Sequence, residues 1–547
     1  MAENTPPSRR KMWITLVAMT VSSAMILVDQ TSVPLAIPDA MSDLGGKTSA
    51  SQWILTANML PLAAFMVLGG RLGDIFGLRK IFIIGAVVFS TASAFAGFAQ
   101  DIPWIITARV IQGAGAALMM PTTVAIVSAT FPREEKGKAL GLLAGFAAFA
   151  AALGPVIGGG LTTIDWRLVF LVNTPLAIIA ILLTLNSTGP LRMNENASRS
   201  LDLPGVTAFS IGIVGFVYGL GQGSDLGWGD PQIVVSLAVS VLAFIGFFVI
   251  ETKSSNPMIE FRLFRHLNFL ASNISQFLAG MIELGCAFLL PYFLLMMIGL
   301  TPLQAGIALI PATVPIMLAG PLVGRMFDKV GGRIPLVTGF LVLGASGIAF
   351  ALAVSEREYI YLIPGLVLQG IGLGMVLTVN DPTGLDAVPP EDQGQAAGVI
   401  NTSEQLGGAV GIALLSAILI SESVHRTNGS LAEKGIKPTD SQVSMWKDFI
   451  LLIQQKGLGQ IDISEQPRVI QFALNDVLDA HVAAYELVFM TTTAIALLGA
   501  ISSFFLVRKS DRVEKGKIFV RRSRWVSSNT GRTPAVTRHP PADDQVS

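Results

Sequence analysis

Fourteen apolar segments dominate this sequence, at 13–36, 50–70, 80–99, 104–128, 138–161, 167–185, 204–221, 231–250, 268–298, 303–325, 334–354, 358–380, 396–420 and 484–507. About 20 apolar residues is the length that carries a helix across ~30 Å of hydrocarbon. In hydrocarbon a helix satisfies its own backbone N–H and C=O groups, whereas an irregular segment cannot. The sequence therefore predicts an all-α integral membrane protein with fourteen transmembrane helices. Only 14% of its residues are charged, against ~25% in soluble domains. The 37 basic and 37 acidic residues balance, so no nucleic acid partner is expected.

Lys and Arg orient the spans, because they collect in cytoplasmic connections. Arg71, Arg79 and Lys80, then Arg133, Lys136 and Lys138, Arg192 and Arg199, Lys253, Arg262 and Arg265, and finally Arg325, Lys329 and Arg333 all fall on one side. The alternate connections carry Asp39 and Asp43, Asp101, or Asp225 and Asp230. Both termini are then expected in the cytoplasm, with the chain multi-pass in the cell membrane. Arg9-Arg10-Lys11 precedes the first span as a topology signal and not as a cleavable leader.

Two stretches related by one spacing divide the chain. Gly70-Arg-Leu-Gly-Asp74-Ile-Phe-Gly77-Leu-Arg79 recurs in outline as Gly324-Arg-Met-Phe-Asp328-Lys-Val-Gly331-Gly-Arg333, with Asp74 and Asp328 254 positions apart. Gln112-Gly113 recurs as Gln369-Gly370, 257 positions on. Two pseudo-symmetric six-helix bundles with two inserted helices are expected, substrate sitting near the bilayer midplane between them. The predicted organisation is a cytoplasmic N-terminus at 1–12, an N-terminal bundle at 13–185, a linker with two helices at 186–266, a C-terminal bundle at 267–507 and a basic cytoplasmic tail at 508–547. The C-terminal bundle includes an external loop, 421–483, whose pieces SMWKDFILLIQQK and RVIQFALNDVLDA have helical spacing that suits short amphipathic helices on the membrane face.

A few charges lie inside apolar runs. A charge there costs at least ~2.5 kcal/mol on insertion scales and needs a partner or a wet cavity. Arg109, Asp29, Glu283 and Glu404 are the candidates for proton coupling and substrate binding. Asp29 and Glu283 share the 254-residue offset, so each holds the same place in the first span of its half. Glu404 shares a helical face with Asn401, Gly408 and Gly411. Asp29 ranks first as proton site, with Glu283 second and Glu404 third. Arg109 is expected to join Asp29 and Glu283 in one coupling centre. The loop residues Gly70, Asp74, Gly77 and Arg79, with Gly324, Asp328, Gly331 and Arg333, are candidates for gating, since a carboxylate at a helix end can pair with an arginine and lock the loops.

These motifs resemble the major facilitator superfamily, in its fourteen-span drug:proton antiporter branch. The resemblance rests on GRLGDIFGLRK at 70–80, on Arg109, Gln112, Gly113 and Gly115 in the fourth span, and on Gly154, Pro155, Gly158 and Gly159 in the fifth. Asp29, Thr31, Ala36 and Pro38 in the first span, WRLVFLVNTP at 166–175 and GVINTSEQLGGAVG at 398–411 are also similar to that branch. Ile75 and Leu78 depart from it where basic residues are usual, and Pro34 stands where Asn is usual. The resemblance implies export by antiport, with the Gly154–Gly159 stretch as the antiporter motif.

The expected function is proton-coupled export of small amphipathic, cationic drugs or toxic compounds, the buried acids serving as counter-charges. The proton is the coupling ion and no cofactor or metal is expected. Gly45-Gly46-Lys47-Thr48 ends like a phosphate loop, but Met41 occupies the first glycine position, so neither nucleotide hydrolysis nor another enzymatic activity is predicted. The chain is expected to be a monomer whose partners are substrate, protons and membrane lipid. Two rivals remain, an exporter or flippase of an endogenous lipid or lipophilic metabolite, and a non-transporting membrane sensor or scaffold.

Overall fold

A computed structural model of the chain describes residues 8–45, 49–188, 202–254, 261–388, 393–434 and 468–508, with a few positions between them. The described residues are helical almost throughout. In the N-terminal half the helices are α1 (Arg9–Leu44), α2 (Ser49–Phe76), α3 (Leu78–Gly97), α4 (Ile102–Thr130), α5 (Arg133–Ile164), α6 (Arg167–Leu171) and α7 (Asn173–Ser187). An inserted pair follows, α8 (Leu203–Leu226) and α9 (Pro231–Lys253). The C-terminal half comprises α10 (Leu267–Tyr292), α11 (Pro302–Ala308), α12 (Ile310–Val330), α13 (Arg333–Ala353), α14 (Tyr359–Leu385), α15 (Gln393–Glu433) and α16 (Arg468–Leu506). Among the described residues thirteen helical segments are long and apolar enough to cross a membrane, α6 with α7 and α11 with α12 each acting as one. The fourteenth expected span is α2, a helix of 28 residues whose described apolar stretch is Trp53–Met66.

Packing repeats across the halves as the sequence spacing predicts. α1 lies on α5 as α10 lies on α15, and α4 touches both α2 and α3 as α14 touches α12 and α13. The halves meet along α2 with α15 and along α5 with α11 and α12, while α8 leans on both α2 and α15.

Helix ends explain several connecting residues. Asp101 accepts a 2.8 Å bond from Trp104 N, Asp230 one of 2.8 Å from Gln232 N, and Asp202 one of 3.0 Å from Gly205 N. Each carboxylate satisfies a backbone donor that the first helical turn leaves unpaired. The repeated loop motif also gains a local reason. Gly77 (φ 99°) and Gly331 (φ 77°) terminate α2 and α12 in a conformation that a Cβ disfavours.

The predicted external loop is shorter than 421–483. α15 runs on to Glu433 and RVIQFALNDVLDA is the first part of α16, not a separate helix on the membrane face. Its helical spacing serves packing against a neighbouring helix: Val477 and Ala480 are buried, and Asp476 receives bonds from Ser430 (2.5 Å) and Lys434 (2.7 Å) of α15. Arg357 bonds Asp479 at 2.5 Å, and the buried His481 meets Ser423 at 2.8 Å. Most of SMWKDFILLIQQK and the basic tail lie outside the described residues.

Candidate functional site

In the N-terminal half, glycines bring the polar groups together. A Cβ on Gly113 would overlap the backbone of Asn58 in α2, and one on Gly115 would overlap that of Phe89 in α3. This close approach places Arg109 beside the α2 backbone, where its Nε donates to the Ile54 carbonyl at 3.0 Å. Nη1 of Arg109 donates to Oδ2 of Asp29 in an ion pair and to Oε1 of Gln112 at 2.7 Å.

Oδ1 of Asp29 accepts from Gln112 (3.0 Å) and Asn173 (2.9 Å). Both amides also donate to Ser93 Oγ, at 3.2 and 2.9 Å, and the Ser93 hydroxyl donates to the Phe170 carbonyl at 2.8 Å. Arg109 and Asp29 are at most 1% exposed. Five helices thus hold one acid, one base and their hydrogen bonds in dry surroundings, where a broken pair is costly.

The C-terminal half repeats this packing without the base. Gly370 abuts the Ala312 carbonyl as Gly113 abuts Asn58. Leu366, however, stands 257 positions after Arg109. Glu404 accepts from Gln276 Nε2, whose Oε1 accepts from Asn380 at 2.5 Å, and Asn380 donates also to the Ser272 carbonyl at 3.0 Å. Glu283 lies one turn after Gly280, whose Cβ position abuts the Glu404 backbone, so the charge of Glu404 bears on it, and its Oε2 is buried without a hydrogen-bond partner among the described residues. The charge of Asp381 also bears on Glu404. The expected joint centre is therefore divided: Arg109 lies with Asp29, and Glu283 lies with Glu404. One half pairs its acid with an arginine, and in the other no ion pair to either glutamate is found among the described residues.

The fifth-span motif is a seam with two sides. Gly154 and Gly158 press on Thr31 and Ser32 of α1, within the same half. Gly159 presses on the Pro302 carbonyl of α11, and Gly306 of α11 presses in return on the Pro155 carbonyl, so this side crosses between halves. Gly407 and Gly411, 253 positions after Gly154 and Gly158, press likewise on Phe277 and Met281 of α10. In the loop motifs, Arg79 donates to the Leu185 carbonyl at 3.0 Å and Arg333 stacks 4.3 Å from the Phe504 ring centroid. The side chains of Asp74 and Asp328 lie outside the described residues. Gly70 and Gly324 are under no steric demand: the nearest atom to a Cβ on Gly70 is 3.5 Å away, and none approaches within 4 Å at Gly324.

Sequence reading missed Ser93, Asn173, Gln276 and Asn380. Their signal is a lone amide or hydroxyl in an apolar run, which sequence alone does not separate from a packing residue.

Two helical bundles related by an internal repeat, meeting along paired helices and each holding charged groups among its own helices, have the architecture of a multi-pass membrane transporter. The chain belongs to the Major Facilitator Superfamily, whose profile it matches over residues 12–412. It is 31% identical over 423 residues to the tetracenomycin C resistance and export protein of Streptomyces glaucescens, covering 76% of this chain and 78% of that one. It is 32% identical over 446 residues to the puromycin resistance protein pur8 of Streptomyces alboniger, covering 79% and 86%. A bacterial homolog of the human lysosomal transporter Spinster, solved inward-facing and unoccupied, superposes with a TM-score of 0.59 at 14% identity, over 92% of this chain and 100% of that one.

Proposed function

We propose that this transporter exports small amphipathic cations across the cell membrane in exchange for protons, with both termini in the cytoplasm. The observation that carries the reading is the Glu283–Glu404 pair, two half-buried carboxyls on the packed helices α10 and α15, each within reach of the other's charge and with no arginine or lysine described as their partner. Two adjacent half-buried charges of one sign require compensation. A proton supplies it in one state and a cationic substrate in another, and competition between the two is sufficient for exchange. The resistance and export names of the two relatives support the export of drug-like compounds. Asp29 takes a different role, because Arg109 and two amides already satisfy it. Glu283 and Glu404 therefore rank ahead of it as the exchanging acids.

Substrate-induced proton release from the purified protein tests the assignment. Glu283→Gln with Glu404→Gln is expected to abolish release by a cationic dye while the protein still inserts and melts as a folded species. Wild-type release from that double variant would remove the assignment.

Gating by the loops is a separate part of the proposal. Asp74→Asn is expected to lower turnover at least tenfold while leaving equilibrium substrate affinity within a few-fold, because the motif ends a helix remote from the midplane. Equal losses of binding and transport would count against a gate.

A further inference from the structure

Two neighbouring residues on α1 serve different halves of the molecule. Asp29 turns inward to Arg109, Gln112 and Asn173, whereas the next residue, Gln30, turns outward and donates from Nε2 to Oε1 of Gln405 at 3.2 Å. α15 has the same division of labour. Glu404 meets Gln276 within its own half, and the next residue, Gln405, meets α1. A step of one residue turns a helix by about 100°, so each helix presents its acid to its own bundle and its amide to the opposite one. Gln30 is 5% exposed and Gln405 2%, so neither can exchange this bond freely for water.

The geometry points to Gln30–Gln405 as a latch across the two halves that positions the two acid networks relative to each other and sets the population of the present arrangement. A turn of α1 that follows a change at Asp29 moves Gln30, and a turn of α15 that follows a change at Glu404 moves Gln405. The one bond registers both events. It goes beyond proton coupling, since it requires only that the halves of a superfamily transporter move apart and together. Its loss leaves a buried amide without its partner, a cost larger than the net worth of the bond.

The test reads the arrangement of the halves directly. Thr163 and Thr301 are exposed on opposite sides of the α5–α11 contact. Spin labels at cysteines placed there, with Cys286 replaced by alanine, give the distance distribution in lipid nanodiscs without substrate or proton gradient. Gln30→Leu and Gln405→Leu are each expected to raise the separated population about fivefold, equivalent to about 1 kcal/mol at ~1.4 kcal/mol per decade. The double variant leaves neither amide unpaired, so it is expected to shift the population less than either single one. Gln405→Asn keeps an uncharged accepting amide and should shift the population less than Gln405→Leu, which also guards against a general packing defect. Unchanged distributions, additive shifts in the double variant, or a Gln405→Asn protein that behaves like Gln405→Leu would each overturn the latch. Because no substrate is present, failure of the export reading leaves this readout intact, and failure here leaves proton release still to be measured.

Discussion

Arg109→Ala is expected to lower stability by about 3–5 kcal/mol and to eliminate transport. The substitution leaves the Asp29 carboxylate, which is about 1% exposed, without its cation. It also leaves the Ile54 carbonyl and Gln112 Oε1 without the donors they now accept from. Arg109→Lys recovers only part of this, since one ammonium cannot reproduce a planar fork aimed at three acceptors. Asp29→Asn combined with Arg109→Gln removes both charges, and most of the lost stability should return while transport does not. Thermal unfolding in detergent, followed beside transport in proteoliposomes, separates the two effects. An Arg109→Ala protein as stable as wild type would show that the ion pair does not hold these helices together.

The second large effect is expected at the seam between halves. Leu inserts well into a bilayer, so Gly159→Leu should reach the membrane normally. Its Cβ, however, would overlap the Pro302 carbonyl, which is backbone and has little room to yield. The α5–α11 contact then fails to close and transport is expected to fall at least a hundredfold. Gly160 provides the control, because a Cβ there meets nothing closer than Leu303 Cδ1 at 3.8 Å. Gly160→Leu should transport within a few-fold of wild type. Similar losses at both positions would indicate that any added bulk in α5 is harmful and that closure across the seam is not the reason.

The parts of this molecule that were legible in its sequence are those where the solvent dictates the answer. Hydrocarbon demands long apolar helices, so the spans could be drawn. The spacing between the Asp74 and Asp328 motifs gave the two halves, because duplicated architecture keeps its offsets. Arg109 and Asp29 stood out by their cost in an apolar run, and the structure joins them. What could not be read was which buried acid goes with which base. Asp29 and Glu283 share the 254-residue offset in sequence, but Leu366 stands 257 positions after Arg109, and the pairing that Asp29 makes depends on a helix 80 residues away from it. The RVIQFALNDVLDA segment illustrates a second limit. An amphipathic stripe suits a membrane face or a protein face equally well, and only the presence of α15 decides between them.

α15 has 41 residues, about 60 Å at 1.5 Å per residue, and therefore continues well past a ~30 Å hydrocarbon layer. Its outer part is clamped to α16 by Lys434 and Ser430 on Asp476. Gln405 lies 28 residues before Glu433, roughly 40 Å along the axis. A tilt of α15 about Gln405 would therefore carry the joined end of α16 with it. A tilt of about 10° there displaces the tip by about 7 Å over that length. Movements too small to follow at the buried acids are magnified at the exposed Arg426 and Glu433, where a fluorophore would report the cycle of the whole carrier from outside the bilayer.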